Sequence, residues 1–150
     1  MKSWTLPLCG AANVYLFAAM VFFAAVSYPQ FGSVDASAFP ALYKGFTGRI
    51  GLPIVTMEFV ALLVTFPLYF ARPDSTPAWA VHLLVALGVA YFAITFGWHL
   101  PSHRALAAGD NSAKALAPLL TSQWVRTGVQ FTRAAVCVWL LAQSVSAPSP

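Results

Sequence analysis

Charge is what this chain has least of. Eight Lys and Arg and four Asp and Glu make up 8% of its 150 residues, against roughly a quarter in soluble domains, and this excludes an ordinary water-facing surface. The basic residues form no run or stripe that could track a phosphate backbone, which excludes a nucleic-acid partner. No Gly-rich phosphate loop, nucleophile elbow or Ser/His/Asp arrangement occurs, which sets aside nucleotide and hydrolase chemistry. Gly45, Gly48 and Gly51 match no dinucleotide fingerprint and instead ease the start of an apolar span. Cysteine is limited to Cys9 and Cys137, one near each end of the chain, and they read either as inert apolar fillers or as a pair within reach of a disulfide.

What is present is apolar sequence, 59% of the chain. A helix needs about 20 apolar residues to cross a bilayer, and four segments qualify, at 6–27, 50–70, 78–99 and 124–145. The chain is expected to be a single all-α domain, an integral membrane four-helix bundle with both termini on one side. The first segment is read as a retained span, although Ala25-Val26-Ser27 has the look of a signal cleavage site. Residues 71–77, with Pro73 and Pro77, predict a tight turn, and residues 144–150 a frayed tail. The connections 28–49 and 100–123 are longer, emerge on the other side, and suit a lid over the bundle mouth, the first with an interfacial helical turn expected at 38–45 around Phe39, Leu42 and Tyr43. The second is expected to open with a helix at Pro101, break at Gly109-Asp110-Asn111 and resume near Ser112.

Lys44, Arg49, Arg104, Lys114 and Arg126 lie in or beside the long connections, against Lys2 and Arg72 on the terminal side. The positive-inside rule then puts the long connections in the cytoplasm, as for a multi-pass protein of a bacterial inner membrane. The tryptophans mostly fall near span ends, as interfacial anchors do. Ala86, Ala90, Ala93 and Gly97 predict a small-residue face on the third span that lets a neighbour approach.

Ionisable residues inside spans are costly in lipid and mark candidate sites. Glu58 and Arg133 fall at similar depths, roughly 12–14 Å from the long-connection side, and are expected to pair. Arg126, Gln130 and Arg133 share one face of the fourth span, and Tyr91, Thr95 and His99 one face of the third. Asn13 is the polar residue of the first span. The resulting seam reads two ways: as glue that fixes helix register, or as a substrate, cofactor or proton-linked site. His99 and His103 have the spacing of a metal pair, but Pro101 between them is expected to interrupt the helix, so no metal is assigned. A histidine acting as general base is the better reading. His82, near the other membrane face, reads as structural.

Several short motifs then line up. Tyr28-Pro29 with Phe31, Phe39, Pro53, Met57-Glu58, Leu100-Pro101 with His103 and Leu106, and Trp124-Val125-Arg126-Thr127 with Gln130 and Arg133 resemble the small four-helix membrane proteins grouped with the anthrone oxygenases. The likeness covers most of the chain. It implies binding or cofactor-independent oxidation of an aromatic or quinone-like lipophile by dioxygen. His99, His103 and Arg126 would then be catalytic, with Glu58, Tyr91, Thr95, Trp98, Trp124, Gln130 and Arg133 binding substrate. Where fungal members carry a His after the span-four Trp, Gly128 to Gln130 supply none. The alternative function is a non-catalytic accessory subunit of a larger membrane complex, electron-transfer or photosynthetic, with other membrane subunits and the bilayer as its partners.

Overall fold

The computed structural model describes residues 4–73 and 76–146, apart from the side chains at 71 and 105. Among these residues the chain is helical with no strand. α1 (Thr5–Phe22) runs into a π-helical turn (Phe23–Ser27) and a 3-10 turn (Pro29–Ser33). α2 (Phe39–Thr65) is followed by the short α3 (Leu68–Ala71) and by α4 (Ala78–Ile94). A second π turn (Thr95–His99) leads into α5 (Leu100–Leu106), and α6 (Ala113–Ser146) closes the fold. α1, α2, α4 and α6 form a ring in that order, α6 packing most heavily on α1.

The connection at 28–49 is shorter than expected, because α2 begins at Phe39 rather than near 50. Pro40 occupies the first turn of the helix, where its missing N–H is no loss. Phe39 and Tyr43 are buried and anchor the extension despite Gly45 and Gly48. The two connections are clasped: the Asn111 side-chain amide donates to the carbonyls of Phe31 at 3.0 Å and Val34 at 2.7 Å. Gly109 makes the turn into this clasp with φ +100°, a conformation that favours glycine. Ser37, through its hydroxyl and then its amide, holds Asp35 below the usual carboxylate range. The Ser112 amide does the same for Asp110 ahead of α6. Part of the expected 71–77 turn, including Asp74, and the tail beyond Ser146 lie outside the described residues.

Three helical segments, Thr5–Ser33, Phe39–Phe70 and Ala78–Arg104, are long and apolar enough to cross a membrane. α6, expected as the fourth span, is the longest helix at 34 residues but is polar on one side. That side faces inward: Gln123, Arg126, Gln130 and Arg133 are buried, while Trp124, Phe131, Val138 and Trp139 are exposed. Polar inside and apolar outside is the arrangement that suits a helix in lipid.

Two apolar clusters bracket the bundle. One gathers Met20, Phe23, Tyr28, Phe31, Phe39 and Tyr43 with Leu116 and Leu119 at the clasped end. The other gathers Leu6, Cys9, Leu68, Leu84, Cys137 and Leu140 at the opposite end. Glu58, Arg133, Gln130 and Asn13 belong to neither cluster, although all four are buried. The small-residue face expected on α4 is not the one that packs, because Ala86, Ala93 and Gly97 are exposed. The buried face instead contains Gly88, where a Cβ would come within 2.9 Å of Leu62 Cδ1 and 3.7 Å of Arg133 Nη2.

Cys9 and Cys137 are free, buried thiols with their sulfurs 3.7 Å apart, close enough for small rotations to bring them into bonding range. Mild oxidation with copper phenanthroline is expected to join α1 to α6 within one chain, read as loss of both alkylatable thiols and of two hydrogens by intact mass. Thiols that stay alkylatable after oxidation would show that the two helices are not in this register.

Candidate functional site

The π turns have a shared cause. Each ends one residue before the residue that precedes a proline, Pro29 in one case and Pro101 in the other. A proline inside a helix cannot donate to the carbonyl four residues back, and its ring crowds that carbonyl. Widening the preceding turn relieves the conflict without ending the helix. Thus Tyr28 N bonds Phe23 O at 3.0 Å, and Leu100 N bonds Thr95 O. The expectation that Pro101 would separate His99 from His103 is therefore corrected: their Nε2 atoms lie 3.0 Å apart.

The hydrogen bonds around this pair fix a direction. Ser122 donates its hydroxyl to the Leu119 carbonyl at 2.9 Å, so it accepts from His99 Nδ1 at 2.8 Å. His99 Nε2 is then the acceptor for His103 Nε2–H, and His103 Nδ1 in turn accepts from the Tyr43 hydroxyl at 2.5 Å. The Tyr43 hydroxyl, which also lies 3.1 Å from the His103 carbonyl, directs its one proton to Nδ1 in this assignment, the nearer of the two acceptors. Tyr28 brings its hydroxyl to 3.5 Å from His99 Nε2 and 3.4 Å from His103 Nε2. In this orientation the relay runs from Tyr43 through His103 to His99, so a proton moves along it inward, toward His99.

Below the histidines, α6 carries a repeated unit, Gln123-x-x-Arg126 followed by Gln130-x-x-Arg133. In each unit the glutamine oxygen accepts from its arginine Nη1, at 3.0 Å for Arg126 and 2.9 Å for Arg133. Each glutamine amide donates to a backbone carbonyl of α1: Gln123 to Met20 at 3.1 Å, and Gln130 to Asn13 at 3.0 Å. The units are seven residues apart on α6, as are their acceptors on α1, so two equivalent clamps hold the most heavily packed pair of helices.

The clamps differ in what their arginines meet. Arg133 Nη1 lies 3.4 Å from Glu58 Oε2, with both side chains 1% exposed. Arg126 meets no carboxylate within ion-pair distance. Its Nη2 donates to the Tyr91 hydroxyl, and its guanidinium carbon lies 4.6 Å from the centre of the Tyr91 ring, a cation–π contact. Tyr91 passes the chain to Met20 Sδ at 3.3 Å.

Beside the upper clamp is a cavity of about 340 Å3. Its apolar lining includes Met20, Phe23, Phe46, Ile50 and Ile54, and its polar lining Tyr28, Tyr43, Thr95, His99, His103, Gln123 and Arg126. Gly51 and Val55 of α2 face Leu100 and Arg104 of α5 across its rim, and all four are exposed. The mouth therefore opens sideways, between two helices.

Of the residues expected at a site, His99, His103, Thr95 and Arg126 line this cavity. Tyr91 lies behind Arg126, and Glu58, Gln130 and Arg133 form the buried layer beneath. Trp98 and Trp124 do not join them: at 40% and 52% exposed, both face outward, in the manner of interfacial anchors. Tyr43 and Ser122 went unassigned because both fell in segments read as connections. Tyr28 had a signal, its place before Pro29, which matches that of Leu100 before Pro101. Among the described residues no group of three or more His, Cys, Asp or Glu is placed to hold a metal ion. No family model, curated protein or solved structure matches the chain.

Breaking a buried ion pair costs about 3–5 kcal/mol, whereas replacing both partners with apolar residues is far milder. Glu58→Ala is expected to destabilise the bundle by an amount of that order in denaturant titrations of the micellar protein. The double change Glu58→Met, Arg133→Met is expected to recover most of the loss. Equal losses in the single and double variants would show that the pair is uncoupled.

Proposed function

We propose that the chain is a membrane-embedded binding protein, and an oxygenase-like enzyme, for a flat aromatic or quinone-like lipophile held in the cavity between α2 and α5. The observation that carries this reading is the cavity's lining, apolar and aromatic side chains together with a histidine pair and an arginine. Ligand sites are commonly concave, mostly apolar and furnished with a few convergent polar groups. A sideways mouth supports delivery of the ligand from lipid rather than from water.

The chemistry follows from the residues and from the resemblance to the anthrone-oxygenase group. The His99–His103 pair takes a proton from a methylene activated by a ring carbonyl, leaving an enolate. Arg126 stabilises the enolate oxygen. The enolate is electron-rich enough to reduce dioxygen directly. In the net reaction the methylene becomes a second carbonyl and one molecule each of dioxygen and substrate gives one quinone and one water, with no further oxidant.

The test is native mass spectrometry of the protein extracted gently from its own membrane. The wild-type chain is expected to carry an aromatic, quinone-sized molecule, and Ile54→Trp, which fills the cavity, to lose it while remaining folded. A chain that is empty in wild-type form, or that keeps its ligand in Ile54→Trp, overturns the reading. Stoichiometric partner chains with no small molecule would support an accessory subunit instead. With a ring ketone supplied, His99→Ala is expected to slow oxygen uptake by about 10²–10⁴-fold.

A further inference from the structure

The two clamps on α6 differ in one respect: the arginine of the lower one meets a carboxylate and that of the upper one does not. Each has a glutamine, an arginine and an α1 carbonyl in the same arrangement. The lower arginine also has an anion, Glu58. At the corresponding place the upper one has the neutral Tyr91 and, to one side, an open cavity.

Charge counting sharpens the contrast. A guanidinium keeps its proton in any protein environment, so Arg126 and Arg133 are both cations, and both are at least 96% buried, with exposures of 4% and 1%. Glu58 is the one buried carboxylate among the described residues, and Asp35 and Asp110 are exposed in the connections. Among the described residues the interior therefore holds at least one more positive charge than negative. Glu58 makes its ion pair with Arg133 and not with Arg126. Arg126 Nε has no hydrogen-bond partner, and neither do Arg133 Nε and Nη2, but only Arg126 lines a cavity. An uncompensated cation is costly in a bundle interior, and the cation–π contact with Tyr91 offsets only part of that cost.

We infer that the cavity's ligand is a lipophilic organic acid that binds as its anion, its charged oxygen completing the upper clamp at Arg126 as Glu58 completes the lower one at Arg133. A carboxylate, a phenol and an enol are all acids of this kind. A ketone or quinone that stays neutral throughout is not. The inference rests on the cavity reading and adds to it the charge of the ligand. Phe23 and Phe46 also line the cavity and offer aromatic surface to the ring system.

The experiment compares 2-naphthoate with its uncharged isostere 2-naphthamide, by equilibrium dialysis against the full chain in lipid nanodiscs, with empty nanodiscs as the blank. Wild-type protein is expected to bind the naphthoate at least about tenfold more tightly, as for a charged hydrogen bond gained at a buried site. Arg126→Gln is expected to remove that preference and leave naphthamide binding in place. Should Arg126→Gln fail to assemble, Thr95→Asp is the second variant: it puts a carboxylate on the cavity wall and is expected to abolish naphthoate binding while sparing naphthamide. Equal affinity for the two probes, or a preference for the amide, overturns the inference and leaves the cavity reading standing. Binding of neither probe overturns both.

Discussion

The bundle is organised around the need to keep two guanidinium groups out of lipid. An arginine at the centre of a membrane helix costs about 2.5–3.5 kcal/mol even by insertion scales that allow for snorkelling, so Arg126 and Arg133 fix which side of α6 faces inward. Once that side is chosen, the rest of the helix follows. Gln123 and Gln130, three residues before each arginine, are carried inside and reach α1, while Phe131, Val138 and Trp139 are left outside. The register of α1 against α6 is set by hydrogen bonds to two carbonyls, at Met20 and Asn13. Apolar packing at either end would tolerate sliding far more readily than these bonds do.

Proline plays the complementary part at the clasped end. In each of two helices a proline widens the preceding turn instead of terminating it. The widening places Tyr28 from one helix and His99 from the other at the same depth, close enough for their polar atoms to meet. Such turns expose backbone and redirect side chains, which is why they recur at functional sites.

The helices, the inward polar face of α6 and the pairing of Glu58 with Arg133 were legible from apolar run lengths and from residue spacing alone, whereas the packed face of α4 was not. The start of α2 was legible only as a separate helical turn around Phe39 and Tyr43, because Gly45, Gly48 and Pro40 are breaker residues by composition. What overrode them was the burial of Phe39 and Tyr43, a tertiary effect. The same misreading hid Tyr43 as a partner of His103. Pro101 misled in a different way: the rule that proline breaks a helix holds for the α spacing, but a widened turn evades it. Trp98 and Trp124 were drawn into the expected site by their nearness in sequence to His99 and Arg126. On a helix an immediate neighbour points about 100° away, and in these two cases that direction is outward.

The sideways mouth between α2 and α5 has a bearing on selectivity. A ligand that arrives through lipid has first to dissolve there, so the bilayer acts as a partitioning solvent and sieves candidates by hydrophobicity before any side chain touches them. The concentration that governs occupancy of such a mouth is a mole fraction in the leaflet rather than a molarity in water. A modest intrinsic affinity suffices for a molecule that the membrane enriches. On the proposed reading, recognition by the protein is thereby reduced to distinctions the solvent cannot make, the shape of a ring and the placement of its oxygen.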